Sequence, residues 1–98
     1  MEIIPKRRET FFNWTFKIDA MYLSIKAVKP VTNYMLQLTF ENGEERLFDM
    51  KPYLNIGIFA ELQDVSMFNT VHVSFDTIEW NNEADLDPEI LYKESQSM

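Results

Sequence analysis

Tyr34-Met35-Leu36-Gln37-Leu38-Thr39-Phe40-Glu41-Asn42-Gly43-Glu44-Glu45-Arg46-Leu47-Phe48 is the stretch whose reading decides the fold. Tyr34, Leu36, Leu38 and Phe40 recur at every second position, the spacing of a strand with one buried face, while Gln37 and Thr39 look outward. Asn42-Gly43 supplies two residues tolerant of positive φ, as a type I′ hairpin requires. A two-residue turn sets Leu38 opposite Leu47 on the core side. A bulge brings Phe48 in instead. The residues alone are compatible with both.

Upstream, Met21 to Lys29 alternates again, with Leu23, Ile25 and Ala27 opposing Tyr22, Ser24 and Lys26. Pro30 is expected to end pairing there, because it has no backbone donor. Residues 9–19 also alternate, placing Phe12, Trp14, Phe16 and Ile18 on one side, and Met1 to Arg8 reads as a polar arm. Downstream, Pro52 suits a first helical position and Gly57 cuts the segment short, so a turn is expected around Pro52–Leu54. A second short helix follows around Ile58–Leu62, with Ile58, Phe59 and Leu62 as its buried stripe. Asp64 is a good N-cap for another brief turn through Phe68. Val71 to Phe75 reads as a strand with Val71, Val73 and Phe75 inward, then a turn at Asp76-Thr77 and a return through Ile78 and Trp80. Asn81 to Glu94 is acidic, with a helical turn around Pro88–Tyr92. The expected class is α+β: a small antiparallel sheet of four to five strands, with short helices covering one face or end.

The 98 residues leave room for one domain. Apolar residues make up 46% of the chain, enough buried surface to offset chain entropy, so general disorder is excluded. With no cysteine, disulfides, a cysteine nucleophile, iron–sulfur clusters and thiolate zinc sites fall away. A single histidine, His72, removes multi-histidine metal centres within one chain. Net charge is −7. Residues 1–20 carry four cations against three acids, and residues 21–98 carry five against thirteen. Such a body repels phosphate backbones and suits a basic protein partner. No apolar run approaches the roughly 20 residues that span a bilayer, and Asn13, Thr15 and Lys17 interrupt the only signal-like stretch. A cytoplasmic location is expected.

Val28-Lys29-Pro30, the hairpin strand Tyr34–Phe40, Asn42-Gly43-Glu44, Phe48-Asp49 and Pro52-Tyr53-Leu54 stand in a recognisable order. Gly57-Ile58-Phe59, Leu62-Gln63-Asp64, Phe68, Ile78-Glu79-Trp80 and the run from Asp85 to Tyr92 continue it. Over about residues 21–92 the chain resembles the bacterial domain-of-unknown-function family 2442. Family members tend to have Trp-Pro-Asn-Gly where this chain has Trp80-Asn81-Asn82-Glu83, so another path is expected for that loop. The resemblance implies a small domain over 21–94, followed by a tail at 95–98. It makes residues 1–20 an extension, either an added arm or an upstream misassigned start, because Met21 is a natural start in such a family. It also implies neighbours in paired-gene arrangements reminiscent of toxin–antitoxin modules, and assigns no chemistry.

Asp85, Asp87 and Glu89 are the only pointed cluster, offering hard oxygen ligands for magnesium or calcium. The structural reading of the same residues is a helix start, with Asp87 capping, Pro88 at the first position and Glu89 favouring the dipole. His72, between two valines, reads as a surface histidine, and Asp49 as a cap. Arg46 is expected to pair with Glu41 or a neighbouring acid. Fourteen aromatics exceed what so small a core encloses comfortably, which makes Phe12, Trp14, Phe16, Trp80 and Tyr92 interface candidates. The expected function is a non-enzymatic interaction or regulatory module, perched on a protein partner or a second copy, with no cofactor and no small-molecule substrate. The alternatives are a carboxylate-dependent metal binder or enzyme at Asp85, Asp87 and Glu89, and nucleic-acid contact through Lys6, Arg7 and Arg8.

Overall fold

The hairpin adopts the bulged register. In the computed structural model, which describes residues 23–98, β2 (Met35–Phe40) pairs with β3 (Glu45–Asp49) so that Leu36 faces Phe48 and Leu38 faces Arg46. The Phe40 carbonyl accepts from the Gly43 N–H, and the Phe40 N–H donates to the Glu44 carbonyl, both at 2.9 Å. Gly43 sits at φ +91, and Asn42 is not among the residues of positive φ. That is a three-residue loop closed by a left-handed bulge glycine, whereas a type I′ turn needs positive φ at two residues. The Asn42 Oδ1 accepts from the Glu44 N–H at 3.0 Å and holds the loop in this form. Phe48, not Leu47, therefore joins the buried face of Leu36, Leu38 and Phe40.

β1 (Ile25–Val31) and the terminal β7 (Gln96–Ser97) flank this pair, giving an antiparallel sheet in the order β1-β2-β3-β7. Pro30 does not end β1; it lies inside it, opposite Leu36. Its missing donor is tolerated because β1 is an edge strand. A bulge between Ile25 and Ala27 breaks the expected alternation, so Ile25 is buried while Ala27 turns to solvent. Residues 95–98, expected as a tail, belong to the fold, because β7 pairs with β3 and the Met98 N–H donates to Glu45.

A second antiparallel sheet comprises β4 (His72–Ser74), β5 (Thr77–Glu79) and β6 (Asp85–Leu86). The expectation of one small sheet thus becomes two, sharing one core. Between them run 3-10 turns at Lys51–Tyr53 and Gly57–Gln63, then helix α1 (Val65–Phe68), capped by Asp64 as expected. In a 3-10 helix residues three apart eclipse, so Phe59 and Leu62 share the inner face and Ile58 falls outside it, 45% exposed. Helix α2 (Pro88–Glu94) covers the first sheet.

The β4–β5 hairpin also departs from expectation. Ser74 pairs with Thr77, so Phe75 and Asp76 form the turn, and Phe75 is 99% exposed at φ +56. A β-branched threonine resists the left-handed region more strongly than other residues, which favours a turn that leaves Thr77 in the strand. Residues 1–22 lie outside the described residues, and with them the arm at 1–8, the alternating stretch 9–19, Lys6, Arg7 and Arg8, and the candidates Phe12, Trp14 and Phe16.

The 81–83 loop repeats the 41–43 geometry. The Glu83 N–H donates to the Trp80 carbonyl and the Trp80 N–H to the Ala84 carbonyl, both at 2.9 Å, while Asn82 Oδ1 accepts from the Ala84 N–H. Glu83, at φ +74, occupies the place that Gly43 holds in the other loop. The left-handed region costs a residue with a Cβ about 1–2 kcal/mol. Glu83→Gly is therefore expected to raise stability by about 1 kcal/mol, net of glycine's larger chain entropy, in urea denaturation. Asn81→Pro should yield no gain, because it deletes the N–H that donates to the Thr70 hydroxyl at 3.0 Å.

Candidate functional site

Most of the acids singled out in the sequence serve local structure. Asp49 accepts from the Lys51 N–H at 2.9 Å, Asp64 from Ser66 at 3.0 Å and Asp87 from Glu89 at 2.8 Å. Burial works to raise the Asp49 pKa, but the Lys51 N–H and ammonium outweigh it and hold the carboxyl below its ordinary value. Glu89 pairs with Lys93 one turn along α2 at 3.4 Å. Asp85 sits on β6, opposite Glu79. The three proposed ligands thus have different duties, and among the described residues no group of three or more His, Asp or Glu is placed to hold a metal ion.

Of the interface candidates, Trp80 requires correction. It is 1% exposed, its indole N–H donates to the Phe68 carbonyl at 3.0 Å, and it has no surface to offer a partner. Trp80, which follows the end of β5, can bury so large a ring because two sheets, not one, enclose the core. Tyr92 is half-buried and engaged within the molecule. Its hydroxyl donates to Glu44 at 2.9 Å, its ring meets Phe40 edge-on, and the Arg46 guanidinium lies 4.4 Å from its centroid. The Tyr92 hydroxyl above all, with help from Asn42 and Arg46, keeps the Glu44 carboxyl below its ordinary pKa against the opposing effect of burial.

Arg46 is the side chain the sequence reading undervalued. It pairs with Glu44 at 3.2 Å, one of the neighbouring acids expected. It also donates from Nε to the Ser95 hydroxyl at 2.7 Å, from Nη2 to the Ser95 carbonyl at 2.7 Å and from Nη1 to the Ser97 hydroxyl at 3.1 Å. The bonds to Ser95 and Ser97 span about fifty residues of sequence, and no local pattern signals them.

A concavity of about 300 Å3 lies beside the β1–β2 turn, lined by Pro30, Asn33, Tyr34, Val65, Phe68 and Asn69 among others. It offers no acid or base, and the Tyr34 hydroxyl is committed to the Gln63 carbonyl. The outer face of the second sheet is different. His72, Glu79 and Asp85 stand directly opposite one another across β4, β5 and β6, with the His72 Nε2 3.9 Å from Glu79. Burial raises the Asp85 pKa, and the charges of Glu79 and Asp87 raise it further. At the end of this acidic face stands Phe75. Of the nine aromatics among the described residues, eight lie in the core or pack against it, and Phe75 alone does not. Sequence reasoning placed Phe75 inward; the signal that it lay in the turn was the β-branched Thr77 beside a turn-tolerant Asp76.

A family model described as protein of unknown function (DUF2442) matches residues 25–97. No curated protein and no solved structure matches the chain.

Arg46→Met should cost about 2 kcal/mol, the scale of hydrogen bonds to a charged donor, because it removes the guanidinium donors to the hydroxyl and carbonyl of the buried Ser95. Faster amide exchange at Gln96–Met98 would accompany the loss. Asp85 should behave in the opposite sense. Its raised folded pKa means that its contribution is fully present below the unfolded value near 3.8 and is lost as pH rises through the folded value. Asp85→Asn is expected to stabilise the protein at neutral pH, with the gain fading below pH 3.8 in pH-resolved urea titrations.

Proposed function

Because this chain belongs to the DUF2442 family, whose description assigns no activity, we propose from its surface that it is a non-enzymatic interaction module that holds a basic protein partner. The observation that carries this reading is Phe75, a bulky aromatic wholly exposed at a hairpin tip. Exposed aromatics backed by a rigid scaffold are the side chains that dominate protein interfaces. Its φ of +56 is a conformation a phenylalanine adopts at a cost, and such outliers cluster at binding surfaces.

Charge supports the choice of partner. Burial first, and then the charges of Glu79 and Asp87 crowded beside it, raise the Asp85 pKa, so an approaching lysine or arginine would relieve the repulsion among the three carboxylates. The other acids with assigned duties support the non-enzymatic part, being spent on caps and ion pairs. Among the described residues no helix is long and apolar enough to cross a membrane. The paired-gene context implied by the family resemblance makes the adjacent gene product the partner of choice, with this chain as the regulatory, antitoxin-like half.

Co-expression with that neighbour should give a stoichiometric complex that survives gel filtration and weakens in salt. Phe75→Asn, which keeps a residue tolerant of the left-handed region, should cost the complex about 2 kcal/mol, or roughly thirtyfold in Kd. Failure to copurify, or an unchanged Kd for the variant, overturns the reading.

A further inference from the structure

Asn42-Gly43 carries chemistry as well as geometry. An asparagine followed by glycine is open to spontaneous cyclisation, because no side chain on the second residue shields its backbone nitrogen. Of the two glycines in the chain, only Gly43 follows an asparagine. In that reaction the Gly43 nitrogen attacks Asn42 Cγ and gives up its proton to solvent. The Cγ–Nδ2 bond breaks, and the nitrogen leaves as ammonia with a proton taken back. Water then opens the cyclic imide at either carbonyl, leaving aspartate or isoaspartate at position 42. The sequence needs no oxidant, reductant or enzyme.

The folded loop opposes each of these movements. The Gly43 N–H is committed to the Phe40 carbonyl at 2.9 Å. Asn42 Oδ1 accepts from the Glu44 N–H and Nδ2 donates to Glu44 Oε2, both at 3.0 Å, so the carboxamide is held at both ends. The Glu44 carboxylate is itself fixed from afar. The same Oε2 accepts from the Tyr92 hydroxyl of α2 at 2.9 Å, and Oε1 from Arg46 at 3.2 Å. Asn42 and Gly43 are both exposed, so these bonds, and not burial, restrain the pair.

We propose that Asn42 is a latent modification site, kept unmodified by the Tyr92–Glu44–Asn42 chain of hydrogen bonds while α2 is docked. Cyclisation proceeds from the locally opened loop, and α2 sets how often the loop opens. The product places a carboxylate beside Glu44. As isoaspartate it also lengthens the main chain by a methylene within the bulge that sets the β2–β3 register.

The 81–83 loop is a built-in control. Asn82 makes the same Oδ1 bond, to the Ala84 N–H, and donates from Nδ2 to Glu61 at 2.9 Å, but Glu83 follows it and its side chain hinders attack.

The full-length protein is incubated at mildly alkaline pH, with conversion at Asn42 and Asn82 followed by peptide mass spectrometry and isoaspartate counted by methyltransferase labelling. The expected result is rapid conversion at Asn42 alone in guanidinium chloride and slow conversion in the native chain. Under native conditions Tyr92→Phe and Glu44→Ala should each convert several-fold faster. Ile78→Val, which loosens the buried core away from the loop, should leave the native rate unchanged. A native chain that converts as fast as the denatured one overturns the proposal, as does a rate indifferent to Tyr92→Phe and Glu44→Ala. Equal acceleration by Ile78→Val overturns it too, since the route is then global unfolding. So does conversion at Asn82 that keeps pace with Asn42 in denaturant.

Discussion

One register decides how this molecule closes. Because Gly43 takes the left-handed bulge position, Arg46 rather than Leu47 faces the side of Leu38, and a cation is delivered to the margin of an apolar face. It is accommodated by the C-terminal segment: the Ser95 hydroxyl and carbonyl, the Ser97 hydroxyl, Glu44 and the Tyr92 ring surround the guanidinium. Ser95 is only 5% exposed, so these bonds satisfy groups that water would reach poorly. β7 contributes just two residues to the sheet, too few to hold by ladder bonds alone. The planar fork of arginine supplies what the short strand lacks.

The second organising element is a path of rings. Phe48 stacks on Tyr53, Tyr53 meets Phe59, Phe59 and Phe68 both meet Trp80, and Tyr34 meets Phe68, with centroids 5.3–6.4 Å apart. The path begins on β3, crosses the short helical turns and reaches the end of β5. It ties the two sheets into one core, and each ring contact adds about 0.5–1.5 kcal/mol beyond area burial. The segment between residues 50 and 70 accordingly serves as packing between sheets rather than as a lid over one.

Features governed by neighbours in sequence were legible. Asp64 and Asp87 cap their helices, Pro88 begins one, and Leu36, Leu38 and Phe40 share a buried face. Features governed by distant partners were not. Pro30 reads as a strand breaker until one knows that β1 lies at an edge. Ile58 reads as buried on a period of 3.6 and falls outside on a period of three. Residues 95–98 look like a tail because their partner, Arg46, is half the chain away. At the candidate surface the acids and the histidine were legible, while both aromatics that matter were misplaced. Trp80 needs the second sheet to be buried, and Phe75 needs a one-residue shift of its hairpin to be exposed.

The proline inside β1 has a further effect. An edge strand offers a row of open donors and acceptors on which another chain can add itself, the usual beginning of strand-mediated aggregation. Here that row is interrupted by Pro30, bent by the bulge near Lys26, and lined by the exposed Lys26 and Lys29. The same residues that make β1 hard to read as a strand also make it a poor template for fibrillar growth.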